Sequence, residues 1–243
     1  MKRMGSRLKS NKIWKAIFII ATSFALLSLA VLLFRIFSQG LGYLNFDFLT
    51  NFASRIPENA GIKAALVGSL WLMAVVAPVS IILGVSTAIY LEEYAKKNKL
   101  NDFIRMNISN LAGVPSIVFG LLGLTIFVRL MDLGKSILAA GFTMSLLILP
   151  IIIVAAQEAI RAVPNEQREA SYGMGATKWQ TIVRVVLPAA IPGILTGSIL
   201  ALSRAIGETA PLVVIGIPVI LQFLPTGILD SFTALPMQIF DRS

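Results

Sequence analysis

The 28 residues from Ala64 to Leu91 contain no charged side chain. A run that long exceeds the thickness of a bilayer core, which about 20 helical residues cover, so it must cross with a tilt or a kink, and Pro78 is where a kink is expected. Similar uncharged runs occupy Ala16 to Phe34, Asn107 to Val128 and Ser136 to Gln157, and another from Pro188 to Ile206 is interrupted only by Arg204. Backbone polar groups surrounded by lipid must pair within their own segment, so each run is read as a helix and the chain as an all-α polytopic membrane protein with five spans. Membrane lipid is therefore its first partner.

The residues that could argue for another class do not do so. Net charge is +9, but the basic residues stand at the ends of apolar runs, which is the membrane pattern and excludes nucleic acid as a partner. Without cysteine or histidine there are no disulfides, no thiol chemistry and none of the usual zinc or haem ligand sets. Twelve scattered acids make no carboxylate cluster, so neither a metal site nor a catalytic residue is expected.

Lys2, Arg3, Arg7, Lys9, Lys12 and Lys15 precede the first run, which is too long for a signal peptide and lacks a small-x-small cleavage site, so it is read as an uncleaved span. Residues 36 to 62 read as an outer loop, and Glu92 to Arg105 as an amphipathic surface segment. Leu212 to Leu224, broken by Pro218 and closed by Pro225, is too short to cross and is read as re-entrant or outer-side. With the N-terminus inside, fourteen basic residues fall on the inner side and six on the outer, Arg204 remaining in the membrane. That balance follows the positive-inside rule and puts the loop between the fourth and fifth spans in the cytoplasm.

That loop holds about thirty residues of alternating charge and apolar character. Pro164 suits a helix start, Glu166 and Glu169 suit its positive end, and Gly173 and Gly175 suit its stop, with a second helix starting near Thr177. Glu169, Ala170 and Ser171, then Gly175, then Val185, Leu187 and Pro188 resemble the Glu-Ala-Ala signature of ABC importer permeases. Ser171 and Val185 are conservative departures from it. The segment Arg204-Ala-Ile-Gly-Glu-Thr-Ala-Pro211 resembles that of the two permeases of the bacterial phosphate uptake system. The continuation Thr209-Ala-Pro-Leu212 looks more like the PstA-type subunit, and Pro57 to Ile62, Tyr90 to Tyr94 and Phe232 to Pro236 are further matches to it, so the resemblance covers roughly residues 55 to 240.

This resemblance implies a type I ABC importer permease, or MetI-like, fold with a cytoplasmic coupling-helix loop in the bacterial inner membrane. It implies a heterodimer with a homologous permease subunit, two ATPase subunits that bind the ATP and Mg, and a periplasmic phosphate-binding protein. No Walker-type loop occurs in the chain, so ATP hydrolysis is assigned to partners and this subunit is not an enzyme. Residues 1–62 then form the basic segment, first span and outer loop, and 63–243 the permease domain. Such permeases continue beyond a segment like Leu235 to Ile239 into a further span that is not found before Ser243. The loop signature alone also permits another oxyanion, sulfate or molybdate. A membrane subunit that signals phosphate supply is the alternative of a different class.

Three sets of residues are candidates. Glu169, Ala170, Ser171 and Gly175 are the ATPase-coupling positions by resemblance, with Gly175 expected to let the chain turn where a side chain would clash. Gly193, Gly197 and Ala201, within a stripe from Ala189 to Ala205, would let another backbone approach, either in this subunit or in a partner. Arg204, Glu208 and Thr209 are the substrate pathway: Arg204 and Glu208 are expected on one helix face as an ion pair, because a lone charge at that depth costs about 3 kcal/mol on insertion scales. The guanidinium fork suits phosphate oxygens.

Overall fold

A computed structural model describes residues 2–54, 56, 60–96 and 98–242. The expected match at Pro57, Glu58 and Asn59, and the counted charges Arg55 and Lys97, lie outside the described residues. The described chain is helical with no named strand, and four helices are long and apolar enough to cross a membrane, or five if one sharply bent pair is a broken span. It divides into two compact units, Met1–Thr50 and Asn51–Ser243. Asn51, Phe52 and Gly61 bond within the second unit: Gly61 N–H donates to Phe52 O, Lys63 N–H to Asn51 O, and Gln238 Nε2 to Gly61 O.

The first unit is one long helix, α1 (Lys2–Gly40), followed by a short one, α2 (Phe46–Thr50). From Ile13 to Phe37 the large apolar side chains of α1 point outward on every side, as a helix solvated by lipid requires.

In the second unit, α3 (Lys63–Ile89, continued by one wide turn through Tyr94) runs unbroken through Pro78. After α4 (Lys99–Leu111) and α5 (Ser116–Gly123, continued by wide turns to Leu130) comes α6 (Ile137–Arg161). Two-thirds of the apolar window of α6 is buried, against 22% for α3, which makes α6 the central helix. Small residues set its contacts. A Cβ on Gly84 would meet Ile152 at 2.6 Å and one on Gly141 would meet Val75 at 2.5 Å, so α3 and α6 lie side by side, pointing the same way. Ser80, Thr143 and Ser145 are buried there and donate to the carbonyls of Val76, Ala139 and Gly141 one turn back, which satisfies their hydroxyls inside the apolar layer.

The span expected from Asn107 to Val128 is broken. Helix α4 holds Asn107 to Leu111, Pro115 caps α5, and the two helices differ by 102°. Proline disfavours the helical conformation at Val114 and has no N–H to donate back, and Gly113 adds freedom at the same place. The segment expected to end at Arg105 therefore continues as helix to Leu111.

Beyond the loop that follows α6, a helix from Lys178 runs through α8 (Lys178–Thr181) and a wide turn into α9 (Leu187–Gly207). The segment expected as re-entrant or outer-side begins as α10 (Ala210–Ile215), with Leu212 and Ile215 in the core, and continues without regular structure. The buried Phe232-Thr233-Ala234 turn fills the space beside Gly68, where a Cβ would meet Thr233 O at 2.0 Å, and leads into α11 (Leu235–Arg242).

Candidate functional site

The loop between α6 and α9 folds as its letters ask. Helix α7 (Asn165–Gly173) starts behind Pro164, and Gly175 follows at φ +82°, a left-handed turn that L side chains rarely adopt. No neighbouring atom lies within 4 Å of where a Gly175 Cβ would stand, so the turn expected here calls for glycine through its backbone angle and not through crowding by a neighbour. Thr177 then caps α8 in a full capping box with Gln180. Glu169 and Ala170 are exposed, while Ser171 is half-buried and its hydroxyl lies 2.9 Å from that of the buried Thr181. The departure from alanine at 171 thus closes α7 onto α8.

Three residues of this loop escaped the sequence reading. Tyr172, Met174 and Trp179 are 43%, 89% and 63% exposed, large apolar groups on an otherwise polar knob. Their signal in the sequence was an aromatic or Met among charges, a pattern that marks protein contact more than solvation.

Near that loop, α3, α4 and α6 are joined by a second set that sequence reasoning missed. Glu92, at the end of α3, accepts from Gln157 Nε2 at 2.9 Å and from Arg161 Nε and Nη2 at 2.9 and 2.8 Å, and also pairs with Arg105 of α4. Arg105 in turn donates to Leu91 O. This network borders a cavity of about 690 Å³ lined also by Glu93, Lys96, Asp102 and Asn165. Lys178 Nζ lies 4.9 Å from the Tyr94 ring centroid, adding a contact between α8 and the end of α3.

The small-residue stripe faces the subunit's own α6. A Cβ on Gly193 would meet Ala159 Cβ at 2.8 Å and one on Gly197 would meet Ala155 Cβ at 2.3 Å, and Ala201 and Ala205 are buried. Ala189 is exposed. The pairing is antiparallel, and continuing its register puts Arg204 level with Ile148, near the middle of Ile137–Arg161.

At that depth the helix stops. Glu208 caps α9 in an extended conformation, and Thr209 precedes the first turn of α10. A continuous helix would press the Pro211 ring onto Gly207 O and leave that carbonyl without its donor, so the break lies where Pro211 requires it. The expected Arg204–Glu208 ion pair is consequently absent among the described residues, because Glu208 has left the helical face on which Arg204 lies. Arg204 is exposed, Glu208 and Thr209 are half-exposed, and Arg204 sits in the last turn of α9, where the helix dipole favours a cation.

Residues 80–237 match the family described as "Binding-protein-dependent transport system inner membrane component". The chain is 38% identical over 188 residues to the probable ABC transporter permease protein YqgI of Bacillus subtilis, a match covering 76% of this chain and 64% of that one. It is 40% identical over 162 residues to the phosphate transport system permease protein PstA 1 of Mycobacterium tuberculosis, covering 66% of this chain and 53% of that one. It therefore spans about half to two-thirds of the length of these relatives. Inward-facing structures of the MetNI methionine ABC transporter include a chain of like fold, with TM-score 0.53 and 20% identity, covering 59% of this chain and 71% of that one.

Proposed function

The chain belongs to the family of binding-protein-dependent transport system inner membrane components, and from that membership we propose that it is a permease subunit of an ATP-driven importer for inorganic phosphate. The observation that carries the reading is the guanidinium of Arg204, without an ion-pair partner among the described residues, in the last turn of a helix long and apolar enough to cross a membrane and beside a helix break. An intramembrane cation with no carboxylate partner is costly unless it faces an aqueous pathway or a counter-charge supplied from outside the chain. A phosphate oxyanion is such a charge, and the planar fork of arginine matches its oxygens. The relationship to proteins named for phosphate transport supports the same substrate.

In this reading phosphate arrives from a periplasmic binding protein, contacts Arg204, Glu208 and Thr209, and leaves to the cytoplasm as the pathway opens alternately to either side. Glu208, half-exposed beside the break, keeps the local charge near neutral, so the anion is held weakly enough to be released. A homologous permease subunit covers the exposed face of Arg204. Two ATPase subunits, which bind the ATP and Mg, grip the loop of α7 and α8 by Tyr172, Met174 and Trp179, with Glu169, Ala170, Ser171 and Gly175 shaping the knob. The N-terminus and that loop lie in the cytoplasm.

The test is uptake by the complete importer in vesicles. Labelled phosphate should enter in an ATP-dependent way, with unlabelled phosphate competing and sulfate and molybdate not. Arg204→Ala should abolish entry while the complex still copurifies with its ATPase subunits. Normal uptake by that variant, or competition by sulfate or molybdate equal to that by phosphate, would end the reading.

A further inference from the structure

Arg168 stands one residue before the signature Glu169, yet its side chain turns the opposite way, into the protein. Its Nη2 donates to Glu93 Oε1 at 3.2 Å and to Ile160 O at 2.8 Å, and its Nη1 donates to Val163 O at 2.7 Å and to Asn165 Oδ1 at 3.1 Å. Ile160 O lies in the last turn of α6, where carbonyls lack intrahelical donors and carry the negative end of the helix dipole, and Val163 O follows just beyond. Glu93 lies in the wide turn that ends α3. One guanidinium therefore caps α6, pairs with the end of α3 and belongs to α7.

Among the described residues, no other α7 side chain hydrogen-bonds to α3 or α6. Asn165 bonds only Arg168, and Ser171 bonds Thr181 on α8. The Glu92 network ties α3, α4 and α6 to one another without touching α7. The Arg168 and Glu93 side chains are 16% and 9% exposed, so water cannot readily substitute for either partner.

We propose that Arg168 is the positioning residue that makes α7 and the inner ends of α3 and α6 move as one body, so that a push on the loop reaches the spans. The proposal rests on the reading that ATPase subunits grip this loop. Arginine is required because a single planar fork satisfies a carboxylate and two carbonyls at fixed angles, whereas a lysine ammonium has no fork. Side-chain and backbone contacts between α3 and α6, at Gly84 and Ile152 and at Glu92 and Gln157, then carry the displacement to both helices together.

The test compares wild type, Arg168→Ala, Arg168→Lys and Glu93→Gln in the complete importer reconstituted in vesicles, reading complex yield, ATP hydrolysis and phosphate moved per ATP. Arg168→Ala should keep yield and ATP hydrolysis while phosphate moved per ATP falls about tenfold or more, the scale on which a small misplacement acts. Arg168→Lys and Glu93→Gln should fall between. Reversing the pair, Glu93→Arg with Arg168→Glu, should rescue nothing, because a carboxylate at 168 would face two carbonyls. Wild-type coupling in Arg168→Ala, or full rescue by the reversed pair, would overturn the proposal, and if Arg168→Ala fails to assemble, wild-type coupling in both Arg168→Lys and Glu93→Gln would do so. A wild-type complex that moves no phosphate at all would instead sink the functional reading, and this proposal with it.

Discussion

Gly197 on α9 approaches Ala155 on α6 so closely that a methyl group on Gly197 would stand 2.3 Å from the Ala155 Cβ. Real Cβ atoms do not come this near, so Gly197→Ala must push the helices apart, and overpacking of this kind costs about 1–3 kcal/mol. At Gly193 the same methyl would stand at 2.8 Å from Ala159 Cβ, a milder overlap. In detergent, the unfolding midpoint should drop for Gly193→Ala and further for Gly197→Ala, with Gly197→Leu yielding little folded protein. Equal midpoints for all three and wild type would mean that α6 and α9 are not held by this contact.

At Gly175 the constraint is the backbone, since φ is +82° and nothing crowds the position. Asparagine tolerates this region and a β-branched residue does not. Gly175→Asn should therefore retain most of the substrate-stimulated ATPase activity, while Gly175→Val should lose about tenfold if an αL misfit of 1–2 kcal/mol is taken up by the docking geometry. The subunit should stay in the membrane in both variants. Equal activities would show that the turn is not what sets the loop's shape.

Much of the fold was legible because lipid imposes a simple rule, namely that an uncharged run of sufficient length must be a helix. Where those helices break was not legible. Pro78, Pro150 and Pro192 lie inside continuous helices, while Pro115 and Pro211 sit at breaks, and nothing in the proline itself separates the two cases. The same ambiguity misplaced Glu208, which a helical count put on the face of Arg204. The loop was read well because caps and glycines are local signals. The Glu92 network was invisible because its partners lie 13 to 69 residues away, and only the parallel packing of α3 and α6 brings them together.

The Ser171 and Thr181 hydroxyls form a pair, 2.9 Å apart, that a double-mutant cycle can isolate. Ser171→Ala restores the residue expected from the signature, but it leaves the fully buried Thr181 hydroxyl without its partner. That should cost about 1–3 kcal/mol, whereas Ser171→Ala with Thr181→Val should cost less than the sum of the two single changes. Hydrogen exchange across 165–181 is the measurement. Strictly additive effects would mean that the pair does not hold α7 to α8.

Asp230 makes the first turn of α6 sensitive to pH. Its Oδ2 accepts from the Thr226 hydroxyl and N–H, both at 2.8 Å, and from Gly227 N–H at 2.9 Å, and these bonds hold the carboxyl below the usual aspartate range. The turn it closes serves α6, because Ile137 N–H donates to Asp230 O at 3.2 Å and Leu138 N–H to Ile228 O at 2.9 Å. Those are first-turn donors that the helix cannot satisfy itself. Since the folded-state pKa is the lower one, the contribution is fully present above the ordinary aspartate range and is lost as the pH falls through the folded value. Amide protection at Ile137 and Leu138 should accordingly stay constant near neutrality and decline in acid, once corrected for intrinsic exchange. In Asp230→Asn, which cannot ionise, protection should be lower at neutral pH and should not decline further in acid. The same acid decline in the variant as in wild type would assign the titration to another group.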